Sequence, residues 1–131
     1  MNPGLLVDTN VYAAFKRGHA AVVDEMRRAS EIALCPVVLG ELRSGFALGS
    51  RERDNLRELD AFMASPRVRL VSVTDRTAVF YARLYSALRR RARPIPGNDL
   101  WIAASAMEFG FMLLSFDRHF EEIDGLAVRL L

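Results

Sequence analysis

The sequence predicts an α/β fold in three layers (α/β/α), with a mostly parallel central sheet of about five strands. Three observations predict it. Apolar runs of strand length recur along the chain, helix-like stretches separate most of them, and prolines and glycines fall at several of the boundaries. At 131 residues, 51% hydrophobic and 26% charged, the chain is long enough to bury a substantial core. No linker-like stretch or internal repeat divides it, so one domain over residues 1–131 is expected.

The first strand is GLLV, residues 4–7. It ends at Asp8, whose carboxylate can cap a helix beginning near Thr9. His19 falls in a turn, RGHA. The second strand, IALC, covers 32–35. Cys35 is the only cysteine, which excludes an intramolecular disulfide and a Cys-rich zinc site, and its apolar setting suits a buried structural thiol. Pro36 then fits the first turn of a helix, PVVLGELRSGF. Its period sets Val38, Glu41, Leu42 and Gly45 on one face and Gly40, Arg43, Ser44 and Ala47 on the other. Residues 51–64 bring Leu56, Leu59, Phe62 and Met63 together on a helix that Pro66 closes before a third strand, VRLVSV, 68–73. A second amphipathic helix over 75–91 carries Val79, Ala82, Leu84 and Leu88 among arginines. The clearest loop is RARPIPGND, 91–99, which delivers the chain to a helix starting at Asn98 or Asp99. Gly110 is placed to cap that helix at its C-terminus. MLLS, 112–115, is the fourth strand, Asp117 follows where a short helix can begin, and AVRLL, 127–131, is the fifth strand.

The opening residues MNPGLLVDTN carry no basic segment before their apolar run, so they do not read as a signal peptide. Nor does any apolar run approach the roughly 18 residues needed to span a bilayer. A cytoplasmic protein is expected, and the single thiol fits a reducing compartment. The formal charge is only +2, yet Lys16 is the lone lysine among 18 cations. Arginine forks onto phosphates, which is compatible with a polyanionic partner. The densest basic run, Arg89 to Arg93, reads equally as a solvated helix end whose cations offset the helix dipole.

Four acids carry the chemistry. Asp8, Asp99 and Asp117 each stand where an apolar strand or a loop gives way to a helix, and each reads as a cap when taken alone. Open parallel sheets bind ligands just beyond the carboxyl ends of their strands, and Asp8 lies at that edge. Glu41 is mid-helix on the apolar side, where a cap role is unavailable and an unpaired carboxylate is costly to bury. Brought together, the four repel one another, so some must take up protons or a divalent cation must neutralise them. An oxygen-only cluster suits Mg2+ or Mn2+ better than zinc. Thr9 and Ser115, beside two of the acids, can hold carboxylates or water by hydrogen bonds.

These segments, LLVDTNVY, PVVLGELRSGF, PGNDLWIAASAM and LLSFDRHF, resemble in order the four acidic motifs of the PIN-domain nucleases, in particular the VapC-type ribonuclease toxins of prokaryotic toxin–antitoxin pairs. The likeness runs from Leu5 to the C-terminal strand. It implies a PIN-like domain whose catalytic, metal-holding quartet falls on Asp8, Glu41, Asp99 and Asp117, with Thr9 and Ser115 at the family's small polar positions. It further implies Mg2+- or Mn2+-dependent endonucleolytic cleavage of structured RNA, a homodimer, and neutralisation by a small antitoxin protein. A metal-activated water needs no histidine as base. His119 is expected on a short surface helix and His19 in its turn, both outside the chemistry. Substrate selection would rest on phosphate contacts from Arg43, Arg89, Arg90, Arg91 and Arg93. The apolar residues around Leu39 and Phe46 read either as core or as a seat for an antitoxin helix.

Two other readings stay open at this point. A haloacid-dehalogenase-like phosphatase would use Asp8 as nucleophile, but its second Asp, two residues on, is Asn10 here. A non-catalytic RNA-binding PIN-like module would use the acids only as caps, and Glu41 argues against that.

Overall fold

A computed structural model describes residues 4–131; the expected domain limits at residues 1–3 lie outside the described residues. The chain runs β1 (Leu5–Val7), α1 (Thr9–Lys16), α2 (Ala20–Arg28), β2 (Ile32–Leu34), α3 (Pro36–Leu48), α4 (Glu52–Met63), β3 (Val68–Leu70), α5 (Asp75–Arg90), α6 (Gly97–Phe109) and β4 (Met112–Ser115). A short 3-10 helix, Arg118–Glu122, and β5 (Val128–Leu130) complete it. The five strands form one sheet in the order β3-β2-β1-β4-β5, with every neighbouring pair parallel. This is the predicted three-layer α/β/α fold. Right-handed crossovers that step one way from β1 to β3, and the other way from β3 to β5, put α1–α4 and α5–α6 on opposite faces.

The central strands are apolar throughout because both faces are covered. Leu6, Val7, Leu113 and Leu114 have no exposed surface, and each such leucine contributes roughly 1.5–3 kcal/mol through burial. Between α1 and α4, the Phe62 ring meets Tyr12 edge-on at 5.2 Å between centroids. Leu39 and Phe46 are half-buried and pack against the core, which favours the first of their two readings. No helix among the described residues is long and apolar enough to cross a membrane.

Two elements differ from expectation. β3 stops at Leu70, not Val73: Val71 N–H still bonds Leu34 O at 2.9 Å, but beyond it Thr74 must cap α5. Its hydroxyl accepts from Arg76 N–H while Thr77 Oγ1 accepts from Thr74 N–H. The buried face of α5 is Thr77, Leu84 and Leu88, whereas Val79 is 50% exposed and Ala82 is exposed. Thr77 Oγ1 donates to Glu108 on α6 at 2.5 Å, and Val79, about 200° further round the helix, therefore faces solvent. α6 opens at Gly97, one residue before the expected start, with Pro96 at its N-cap. Gly110 closes it in the left-handed conformation, φ 73°.

Candidate active site

The strand order reverses at β1. The connection after β1 leads to β2 on one side, and that after β4 leads to β5 on the other. A crevice opens at such a switch point beyond the carboxyl ends of the two strands. Asp8 follows β1 directly, and Asp117 lies two residues beyond β4.

Asp8 is 4% exposed and is held at both oxygens. Thr9 N–H donates to Oδ1 at 2.8 Å, so Asp8 caps α1 as its sequence position suggested. Ser115 Oγ donates to Oδ2 at 2.8 Å and itself accepts from Asp117 N–H at 3.0 Å. One hydroxyl thus ties the first acid to the backbone of the fourth. Thr9 Oγ1 donates to Glu41 Oε1 at 2.5 Å, and Asn98 Nδ2 approaches the other Glu41 oxygen at 3.4 Å. Glu41 is half-buried at the edge of the apolar face that holds Val38 and Leu42; Gly45, expected on that face, is exposed. A polar chain therefore runs from Asn98 through Glu41, Thr9, Asp8 and Ser115 to Asp117.

Asp99 stands in the first turn of α6. Its Oδ2 lies 2.9 Å from His119 Nε2, the side chains being 16% and 35% exposed. Nε2 is shielded from solvent and has no hydrogen-bond partner. One oxygen each from Asp99 and Asp117 and one His119 nitrogen lie within 4.8 Å of one another. His119 was expected on a short surface helix, outside the chemistry. It does sit on the 3-10 helix, but that tight turn after Asp117 swings its ring toward Asp99, against the Phe120 ring at 4.7 Å. Asn98 was likewise read only as a helix start.

Electrostatics reflect the crowding. Burial pushes the Asp8 carboxyl above its usual range, opposed by the Ser115 and Thr9 hydrogen bonds, while Asp117 and Glu41 add repulsion. Burial also raises Asp99, His119 opposes it, and Asp8, Asp117 and Glu41 push it further up. The carboxylates thus feel one another although they lie far apart in the chain. The N-termini of α1 and α6 offset part of the cost of collecting negative charge. Oxygen donors with one imidazole, mutual repulsion and a nitrogen without a hydrogen-bond partner are what a divalent cation would fit.

Two grooves border residues of the site. One of about 580 Å3 is lined by Glu41, Asn98, Gly40 and Ser44, and another of about 370 Å3 by His119, Arg93 and Arg118 among others. An apolar cavity of about 410 Å3, bounded by Phe15, Met26 and Phe62, reaches the opposite strand ends at Ile32 and Val68 and contains none of the four acids. Of the predicted phosphate-contacting arginines, Arg43, Arg89 and Arg90 are exposed, with Arg89 over the Tyr85 ring. Arg91 instead donates to Glu122 O at 2.8 Å and pairs with Glu122 and Asp124, and Arg93 lies 3.9 Å from Glu122. These two are partly neutralised, because the run sits beside an acidic turn 31 residues later. Asn10, where a phosphatase of the alternative class needs its second acid, is exposed on α1. Cys35 is fully buried and burial raises its thiol, in keeping with a structural role. His19 caps α2, its Nδ1 accepting from Val22 N–H at 3.4 Å.

The PIN domain family matches residues 5–126. Ribonuclease VapC4 of Mycobacterium tuberculosis is 30% identical over 124 residues, covering 94% of this chain and 93% of that protein. Ribonuclease VapC5 of the same organism is 30% identical over 122 residues, covering 93% and 89%. Among solved structures, VapBC2 from Rickettsia felis, bound to a DNA fragment from their promoter, superposes with a TM-score of 0.86 at 22% identity over 98% of each chain. VapBC-5 from Mycobacterium tuberculosis, of the VapBC family of toxin-antitoxin systems, gives 0.74 at 28% identity over 98% of this chain and 97% of that one.

Proposed function

Because the chain belongs to the PIN-domain family, among its VapC ribonucleases, we propose that it is a dication-dependent endoribonuclease and the toxin of a toxin–antitoxin pair, acting as one domain through Asp8, Glu41, Asp99 and Asp117. The observation that carries this reading is the mutual repulsion among four acids from distant parts of the chain, two of them raised by burial. A cluster of this kind in a nuclease family calls for a cation.

The four carboxylates would hold it. When bound, Mg2+ or Mn2+ supplies a Lewis acid that makes water nucleophilic near neutral pH and offsets charge developing on the phosphate. The protein's own part is orientation. Ser115 and the Thr9 N–H fix the Asp8 carboxylate, and the Thr9 hydroxyl together with Asn98 holds Glu41. Each oxygen keeps a lone pair for a ligand. Rigid donors set before the substrate arrives avoid reorganisation during the reaction. The two grooves give an RNA strand a path across the acids, with Arg43, Arg89 and Arg90 as phosphate contacts and Arg91 and Arg93 weaker ones. A small antitoxin partner is supported by the neighbouring VapBC complexes, and a homodimer by the family likeness.

The purified chain is expected to cut structured RNA with Mn2+ or Mg2+ and to stop when EDTA is added. Cutting that persists in EDTA would remove the mechanism. Expression is expected to arrest growth, with relief on coexpressing a short neighbouring reading frame; an effect-free expression would argue for a nuclease outside the toxin class.

A further inference from the structure

We propose that His119 is a nitrogen ligand of the catalytic dication, and that it biases the site toward Mn2+ over Mg2+. This rests on the metal-dependent reading above and adds to it a ligand outside the acidic quartet. Three observations carry it. His119 Nε2 is shielded from solvent and has no hydrogen-bond partner, although an Asp99 oxygen lies close by. Its 2.9 Å separation from Asp99 Oδ2 matches the spacing of adjacent ligands on one octahedral ion, about 3 Å when each lies about 2.1 Å from the metal. An Asp117 oxygen completes a set within 4.8 Å, converging from α6 and from the turn after β4.

The ring is also braced. Phe120 is wholly buried at the next position, and the two rings lie 4.7 Å apart, which limits the ways the imidazole can turn. Ligation needs the lone pair on Nε2, so the proton sits on Nδ1 in the metal-bound form. Mg2+ favours oxygen donors and gives up water reluctantly, whereas imidazole binds first-row transition ions well. A single nitrogen in an otherwise oxygen set therefore raises the affinity for Mn2+ more than that for Mg2+.

The test uses the full chain and Mn2+ alone, with no RNA. Pulsed electron paramagnetic resonance of bound Mn2+ is expected to show 14N coupling from one imidazole, lost in His119→Ala and in His119→Gln. Calorimetry is expected to show Mn2+ binding weakened about tenfold in His119→Ala, with Mg2+ binding changed by less than about threefold. His119→Gln, which offers an oxygen in the same place, is expected to keep the fold by circular dichroism and to bind the two ions with more nearly equal strength. Mn2+ that binds the parent without nitrogen coupling, or equally well after both substitutions, overturns the His119 assignment and leaves the acidic site standing. A parent chain that binds no Mn2+ overturns both.

Discussion

Asp99 faces two demands at once. Burial and three neighbouring acids disfavour its charge, while the chemistry proposed for it needs that charge. Asp8 and Asp99 are both raised above the ordinary value of 3.8 in the folded chain. The fold then keeps protons that the unfolded chain has released, so stability is lost as pH rises from the unfolded value through the folded one, and regained as it falls. In EDTA, Asp99→Asn is expected to melt above the parent near neutral pH, the gap closing as pH falls toward the unfolded value; with Mn2+ supplied, it is expected to have no nuclease activity. A variant that melts lower, or still cuts RNA, would show Asp99 to be structural. Sequence alone revealed Asp8 and Asp99 as acids at helix starts, and Thr9 and Ser115 as polar neighbours, because each signal is local. It did not reveal that Asn98 reaches Glu41, 57 residues away, or that a tight turn carries His119 to Asp99. Those contacts depend on how helices are placed by the sheet, which no local pattern encodes.

At the scale of elements, α3 combines the acid Glu41 with poor helix formers. Gly40 and Gly45 both lie inside it, and a Cβ added at either would meet no atom within 4 Å. Gly45→Ala is therefore expected to stabilise the fold by about 1 kcal/mol, seen as a rise of about 3 °C in the melting temperature. An unchanged or lower value would mean that the glycine serves a contact outside this chain. Strand positions were legible as apolar runs because a central parallel strand must be apolar on both sides. The exit of β3 was less so: Val73 extends the apolar run but is 36% exposed, because the chain there is already turning into the Thr74 cap. The buried side of α5 was misread for a related reason. Its period was visible, but Val79 and Leu84 are equally apolar, and only the bond from Thr77 to Glu108 decides which side faces α6.

For the molecule as a whole, ligand binding and folding share one balance. A dication held as proposed would relieve the repulsion among the acids, so Mn2+ at about a hundred times its dissociation constant is expected to stabilise the chain by about 2.7 kcal/mol. Differential scanning fluorimetry with Mn2+ should show this shift in the parent and little of it in Asp99→Asn; equal shifts in both would place the ion elsewhere. The strand order could not be read from the sequence, since five apolar runs say nothing of which becomes the neighbour of which. Yet that order decides where the acids meet. Ser115 grips Asp8 across 107 residues, and β1 finds one of its two partners only in β4. No local stretch can therefore assemble the acids alone: a fragment that stops before β4 lacks both the Ser115 grip on Asp8 and one of the two neighbours that hold β1 in place.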